Sequence, residues 1–251
     1  MQSEWSLYLN RFHSERPGIT ERVLARCRSD GMDPYRWCAQ ALDVASGPTL
    51  DIGCGSAPMA GRVTGWIGVD RSASELGEAR GRRRWPLVRA EATSLPVATD
   101  ATPAVVCSMA MQLIEPLSQA LAEAARVLPP GGRAVLLLPA TGPLSWRQAA
   151  GYLRLQAVLG RRIRYPNDRA LRPRMLAATA AGCGLAVVSD ERRAFALPVR
   201  SGAEADELLH SLYLPGVGPR RLRRARRVVA RRVGTARVVP LRRVVLDRRS
   251  E

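Results

Sequence analysis

Apolar segments bounded by turn residues recur along the chain, with helical stretches between them. The apolar runs predict strands near 48–52, 66–70, 86–90, 103–108, 132–138, 184–190 and 237–247. Helices are expected over 19–29, 34–45, 57–63, 72–82, 117–128, 144–159, 169–181, 203–213 and 219–233. Pro58 suits a first helical turn, and Pro129-Pro130-Gly131-Gly132 and Gly182-Cys183-Gly184 each stop a helix and lead into a strand. Such alternation argues for an α/β fold, a mostly parallel sheet with helices on both faces. With 251 residues, 46% of them hydrophobic, the chain can bury one full core, and it reads as one larger domain with appended helices.

The first strand runs into Thr49-Leu50-Asp51-Ile52-Gly53-Cys54-Gly55. Glycines at 53 and 55 let the backbone turn tightly and lie against a ligand, with the N-terminus of the expected next helix facing that ligand. A dinucleotide site shares this description, but its third glycine would fall where Pro58 stands. Asp51 beside the turn also suits a cation better than a pyrophosphate. The second strand, Trp66-Ile67-Gly68-Val69-Asp70-Arg71-Ser72, ends in an acid able to accept two ribose hydroxyls. The next apolar run leads to Ala90-Glu91-Ala92-Thr93-Ser94-Leu95-Pro96, whose acid can accept from an adenine amine. Three acids after three successive strands match one adenosine-bearing cation; each alone is equally a strand-end cap.

These segments resemble the class I S-adenosylmethionine-dependent methyltransferases, particularly the broad small-molecule group. Ala104-Val105-Val106-Cys107-Ser108-Met109-Ala110 is similar to the family's fourth strand, and 121–138 to its helix, Pro-Gly-Gly turn and fifth strand. Arg242-Arg243-Val244-Val245-Leu246 resembles the closing antiparallel strand, while Ala104 departs from the aspartate that relatives commonly carry. The resemblance implies a Rossmann-like seven-stranded sheet of order 3-2-1-4-5-7-6 with the last strand antiparallel. It implies S-adenosylmethionine as cofactor, S-adenosylhomocysteine as product, and no metal. Asp51, Gly53 and Gly55 would face the methionine portion, Asp70 the ribose, Glu91 and Ala92 the adenine, with Ser108 and Met109 on the floor. Cys54 and Arg71 belong to the same cofactor-binding set. A helical cap over 1–45 would precede a methyltransferase domain over 46–251, with helical insertions about 141–181 and 203–233 on the acceptor side.

Charge sharpens the picture. The net charge is +17, and all 39 basic residues are arginine. Without lysine, a Walker-type phosphate loop, a Schiff base and a kinase strand lysine are excluded. Five scattered cysteines, none spaced Cys-x-x-Cys, suggest neither disulfide framework nor zinc site. No run approaches the roughly 20 apolar residues of a membrane span, and Met1 to His13 lacks a leader pattern, so a cytoplasmic protein is expected.

In-line methyl transfer rests mainly on alignment, although an acceptor hydroxyl benefits from a base. His13, in Arg11-Phe12-His13-Ser14-Glu15-Arg16-Pro17, is the candidate, placed on an N-terminal lid; a surface or capping histidine is the plainer alternative. Tyr165, Asn167 and Asp168, and His210 with Tyr213, are further acceptor-side candidates that read equally as loop or core residues. After the fourth strand stands Ser108-Met109-Ala110-Met111-Gln112, with neither Asn/Asp-Pro-Pro-Tyr nor Pro-Cys. Base-amine and cytosine-C5 methylation therefore lose support, and a small-molecule acceptor is expected.

Thirteen arginines lie between Pro219 and Arg249, with Asp247 as the one acid. Leu222, Ala225, Val229 and Val233 share a stripe, making a basic amphipathic helix. It reads either as a solvated face in an arginine-using protein or as a contact for nucleic acid, a phosphorylated substrate or a membrane surface. An RNA methyltransferase and a non-catalytic cofactor-binding module are the alternative functions.

Overall fold

The computed structural model describes residues 4–42, 47–231 and 233–250. The expected cap boundary at 45–46 and the end of the expected 34–45 helix lie outside them. Seven strands form one sheet: β1 (Thr49–Ile52), β2 (Ile67–Asp70), β3 (Leu87–Arg89), β4 (Ala104–Ser108), β5 (Arg133–Pro139), β6 (Leu185–Pro198) and β7 (Ala236–Arg248). Their order is β3-β2-β1-β4-β5-β7-β6, parallel from β3 through β5, with β7 antiparallel to both neighbours. The expected order and the antiparallel closing strand are both present.

The helices are α1 (Glu4–Glu15), α2 (Ile19–Leu24), α3 (Pro34–Ala39), α4 (Ala73–Gly81), α5 (Leu117–Val127), α6 (Trp146–Leu159), α7 (Pro173–Gly182), α8 (Gly202–His210) and α9 (Pro219–Ala230). Period-two alternation in the strands sends side chains to two separate cores. Val106, Val135 and Leu137 pack with Tyr35, Trp37 and Leu76 from α3 and α4. Val105, Cys107, Leu136 and Leu138 pack with Leu121 of α5 and Leu176 of α7 on the other face. Thus α7, inside the expected 141–181 insertion, is part of the layer covering the sheet. Helices α6, α8 and α9 instead share a cluster around Leu159, Leu209, Leu214 and Ala225.

Four local expectations are corrected. No helix forms over 57–63: Ala57 has φ 64°, Gly61 φ 74° and Gly65 φ 54°, and tight turns such as Ala60 N to Ala57 O replace helical bonding. Left-handed residues at this density cannot continue a right-handed helix. The 19–29 helix ends at Leu24, because Arg28 exchanges backbone hydrogen bonds with Ala196 and Asp30-Gly31 turns with positive φ. The sixth strand runs to Pro198, eight residues past expectation, paired along its length with β7. Finally, residues 4–15 are helical, outside every helix expected from the pattern.

Among the described residues no helix is long and apolar enough to cross a membrane, and no group of three or more histidine, cysteine or acidic side chains is arranged to hold a metal.

Candidate active site

A cleft of about 470 Å³ opens beyond the carboxyl ends of β1, β2 and β4, roofed by α1. Such crevices at the ends of parallel strands are where open α/β sheets bind ligands. Its floor is the glycine turn: Gly53 and Gly55 have φ 68° and 54°, and the amides of Gly53 and Cys54 both donate to Val69 O, at 2.8 and 3.0 Å. A Cβ on Gly53 would stand 2.5 Å from the Ala110 Cβ, so only glycine fits there. Gly55 N donates to Asp70 Oδ2 at 2.8 Å and Ser72 N to Oδ1 at 2.7 Å, so two backbone amides aim the Asp70 carboxylate. Burial raises the Asp70 pKa, opposed by those amides. Each carboxylate oxygen keeps a second acceptor site.

Glu91, exposed at the rim, has Arg71 4.0 Å away, and Arg71 also donates to Asn10 of α1. Ala92, Cys54, Ser108 and Met109 complete this side of the lining. The Ser108 hydroxyl is buried without a hydrogen-bond partner, a polar atom left for a ligand to satisfy. Together with the glycine cradle, Asp70 and the rim acid Glu91, it fits an adenosine-bearing cation.

Asp51 is the exception in the expected cofactor set. Its side chain is not in the lining; it is fully buried beneath the turn, accepting from the Trp66 indole at 3.0 Å, with Oδ1 unpartnered. Burial, partly offset by the indole bond, raises its pKa to about 7.

Of the three catalytic candidates, His13 alone lines the cleft. Its Nδ1 lies 2.8 Å from Glu75 Oε1, and Glu75 Oε2 accepts from Gly18 N at 2.9 Å. Tyr165 packs edge-on against Tyr213, with ring centroids 6.1 Å apart, and burial pushes its hydroxyl pKa up. It stands behind Tyr213, which does line the cleft. His210 is exposed at the end of α8, outside the lining. Asn167 is a clamp: its Nδ2 donates to Met111 O at 2.9 Å and Ile114 O at 2.6 Å. Asp168 accepts from Tyr165 N.

Two lining residues absent from the expected set are Glu75 and Glu21. The pattern Ser72-x-x-Glu75 reads as a helix cap, and Ser72 Oγ does accept from Glu75 N, but the Glu75 side chain turns to the N-terminal segment. Glu21 Oε2 accepts from Ser56 Oγ, Arg82 and Arg84, each at 2.7 Å. These two acids tie the cap to the glycine turn and to α4.

Residues 50–136 match the family model described as a methyltransferase domain. Over this segment, from β1 to β5, the chain is similar to class I, S-adenosylmethionine-dependent methyltransferases. Over 111 residues it is 35% identical to the malonyl-[acyl-carrier protein] O-methyltransferase of Alcanivorax borkumensis, which covers 40% of this chain. The chain spans 38% of that relative's length. The fold also superposes on the YcgJ protein of Bacillus subtilis, with TM-score 0.57 and 16% identity over 87% of this chain and 99% of that one. The [4+2]-cyclase SpnF gives TM-score 0.53 and 18% identity over 86% and 81%. One fold thus hosts differently named activities, and function is a matter of the site.

Proposed function

We propose that the chain transfers the methyl group of S-adenosylmethionine to a small-molecule acceptor, with His13 as general base and Glu75 orienting it. The observation that carries this reading is a reversal of charge. In a chain of net charge +17, the cleft presents Asp70, Glu75, Glu91 and Glu115 against Arg71 and His13, while Glu21 is already paired with Arg82 and Arg84. A cationic cofactor is favoured there, and an anionic dinucleotide is not.

Asp70 and Glu91 would hold the cofactor's ribose and base, the Gly53-to-Gly55 turn its methionine end, and Ser108 Oγ would gain a partner. When bound, the cofactor supplies a methyl group on a sulfonium, activated for in-line displacement. The Glu75 carboxylate accepts a hydrogen bond from Nδ1–H of His13, the tautomer that leaves the lone pair on Nε2. That atom accepts the proton of the acceptor's nucleophilic oxygen or nitrogen, and Glu75 balances the imidazolium formed. Leu9, Leu113, Ile114 and Tyr213 give the acceptor end an apolar wall that displaces water. A malonyl-[acyl-carrier protein] O-methyltransferase among the relatives supports an oxygen nucleophile on the acceptor.

Calorimetric titration with S-adenosylmethionine and S-adenosylhomocysteine tests the cofactor half. Saturable binding of both is expected, and heat from neither would sink the reading. Assays with hydroxyl-, carboxyl- and amine-bearing small molecules then test the acceptor half.

A further inference from the structure

Helix α6 ends at Leu159 with Gly160 in the left-handed conformation (φ 68°), and the chain then runs Arg161-Arg162-Ile163-Arg164 before Tyr165. Arg161, Arg162, Arg164 and Gly216, with Arg221 from the first turn of α9, line a second, open concavity of about 450 Å³. We infer that this concavity is a binding site for a polyvalent phosphate group.

Two of the four guanidinium groups are held by main-chain carbonyls. Arg161 Nη1 donates to Pro215 O, and Arg221 Nη1 reaches Leu159 O at 3.5 Å. The Arg221 group lies over Gly160, where a Cβ would stand 2.5 Å from its Nη1. Glycine there leaves room for the guanidinium as well as allowing the helix to end. Arg162 and Arg164 are exposed and make no hydrogen bond or ion pair among the described residues. The acid acting on Arg164 is Asp168, which also faces Arg172 and accepts from Tyr165 N.

Several half-buried or buried arginines elsewhere meet carboxylates: Arg82 and Arg84 on Glu21, Arg133 on Asp247, Arg242 on Asp190. Here the positions and the fixing bonds are present, and among the described residues none of the four arginines forms an ion pair. Residues 208–246, which supply Gly216 and Arg221, contain no acid. Four like charges in one concavity repel, and an anion relieves that repulsion. A carboxylate brings one charge, whereas a phosphate monoester or diphosphate brings two or three and offers the oxygen pairs that guanidinium forks grip. The dipole at the start of α9 adds to the attraction at Arg221.

The concavity also adjoins the acceptor end of the cleft. Arg164 precedes Tyr165, which packs on Tyr213, and the Arg161 anchor Pro215 follows Tyr213 by two residues. The phosphate site stands independently of the methyl-transfer reading, because its test needs neither cofactor nor turnover.

The full chain is titrated calorimetrically with inorganic pyrophosphate at near-physiological ionic strength, where diffuse surface attraction is screened. Saturable binding with one ion per chain is expected. The double variant Arg162→Gln/Arg164→Gln should weaken it by about tenfold or more, from loss of two charge-assisted contacts. A control pair, Arg192→Gln/Arg200→Gln, removes the same charge from exposed positions elsewhere and should leave affinity within about twofold. The single variants Arg162→Gln and Arg164→Gln read the loss in smaller steps should the double variant not fold. Absence of saturable binding, or equal weakening by both pairs, overturns the site.

Discussion

His13 Nδ1 and Glu75 Oε1 lie 2.8 Å apart, across 62 positions of sequence, at the junction of the α1 roof and α4. If this pair serves acceptor deprotonation, His13→Ala lowers turnover by about 10²- to 10⁴-fold, the usual contribution of a general base, and leaves cofactor affinity nearly unchanged. Glu75→Gln can still accept from Gly18 N but loses the charge behind the imidazole, and turnover should fall by roughly tenfold or more. Normal turnover of the true acceptor by His13→Ala removes the base assignment.

Asp51 provides a pH signature. Its folded pKa is raised to about 7 by burial, so the folded state keeps a proton that the unfolded chain has already released. Stability therefore falls as pH rises from about 4, the ordinary carboxylate value, towards 7, by roughly 1.4 kcal/mol per pH unit inside that window. Asp51→Asn has no proton to lose and should flatten this slope. Thermal midpoints measured across that range check it; parallel curves for the two proteins would contradict it.

Gly53→Ala combines positive φ with a Cβ 2.5 Å from that of Ala110. A cost of about 1–3 kcal/mol is expected from strain and overpacking. Calorimetric binding of S-adenosylmethionine should weaken further than stability does, because the turn is displaced into the cleft. An alanine variant that binds as the parent does would show that the turn tolerates a side chain.

Asn167→Ala should act on the acceptor side. The side chain holds Met111 O and Ile114 O, and Asn167 N donates to Gln112 O at 3.2 Å, so the loop after β4 hangs from this residue. Removing the side chain leaves two carbonyls short of a donor, at about 1–3 kcal/mol of stability. Leu113 and Ile114 then lose their fixed place in the cleft, and KM for the acceptor should rise more than cofactor affinity falls. Denaturant unfolding and steady-state kinetics separate the two effects.

The side of the cleft proposed for the cofactor is legible in the sequence because it is made of local segments: a glycine turn after one strand and acids at the ends of the next two. Asp70 and Glu91 line the cleft where strand-end logic puts them. The same logic misplaced Asp51, since facing the ligand or the core beneath it is decided by Trp66, whose indole claims the carboxylate from 15 positions away. The helix expected over 57–63 failed on backbone conformation, with Ala57 and Gly61 both left-handed. Pro58 compatible with a first turn says nothing of its neighbours.

The sequence by itself determined the strands, and with them the glycine turn and the acids at strand ends, because apolar runs and strand-end turns are properties of neighbouring residues; the strand order came from the resemblance those segments carry. Tertiary structure alone decided the other side of the cleft. His13 meets Glu75, and Tyr8 Oη meets Leu214 N, only once the N-terminal helices dock across α4 and the 211–215 segment. Those partners lie 62 and 206 positions apart, beyond the reach of any local periodicity.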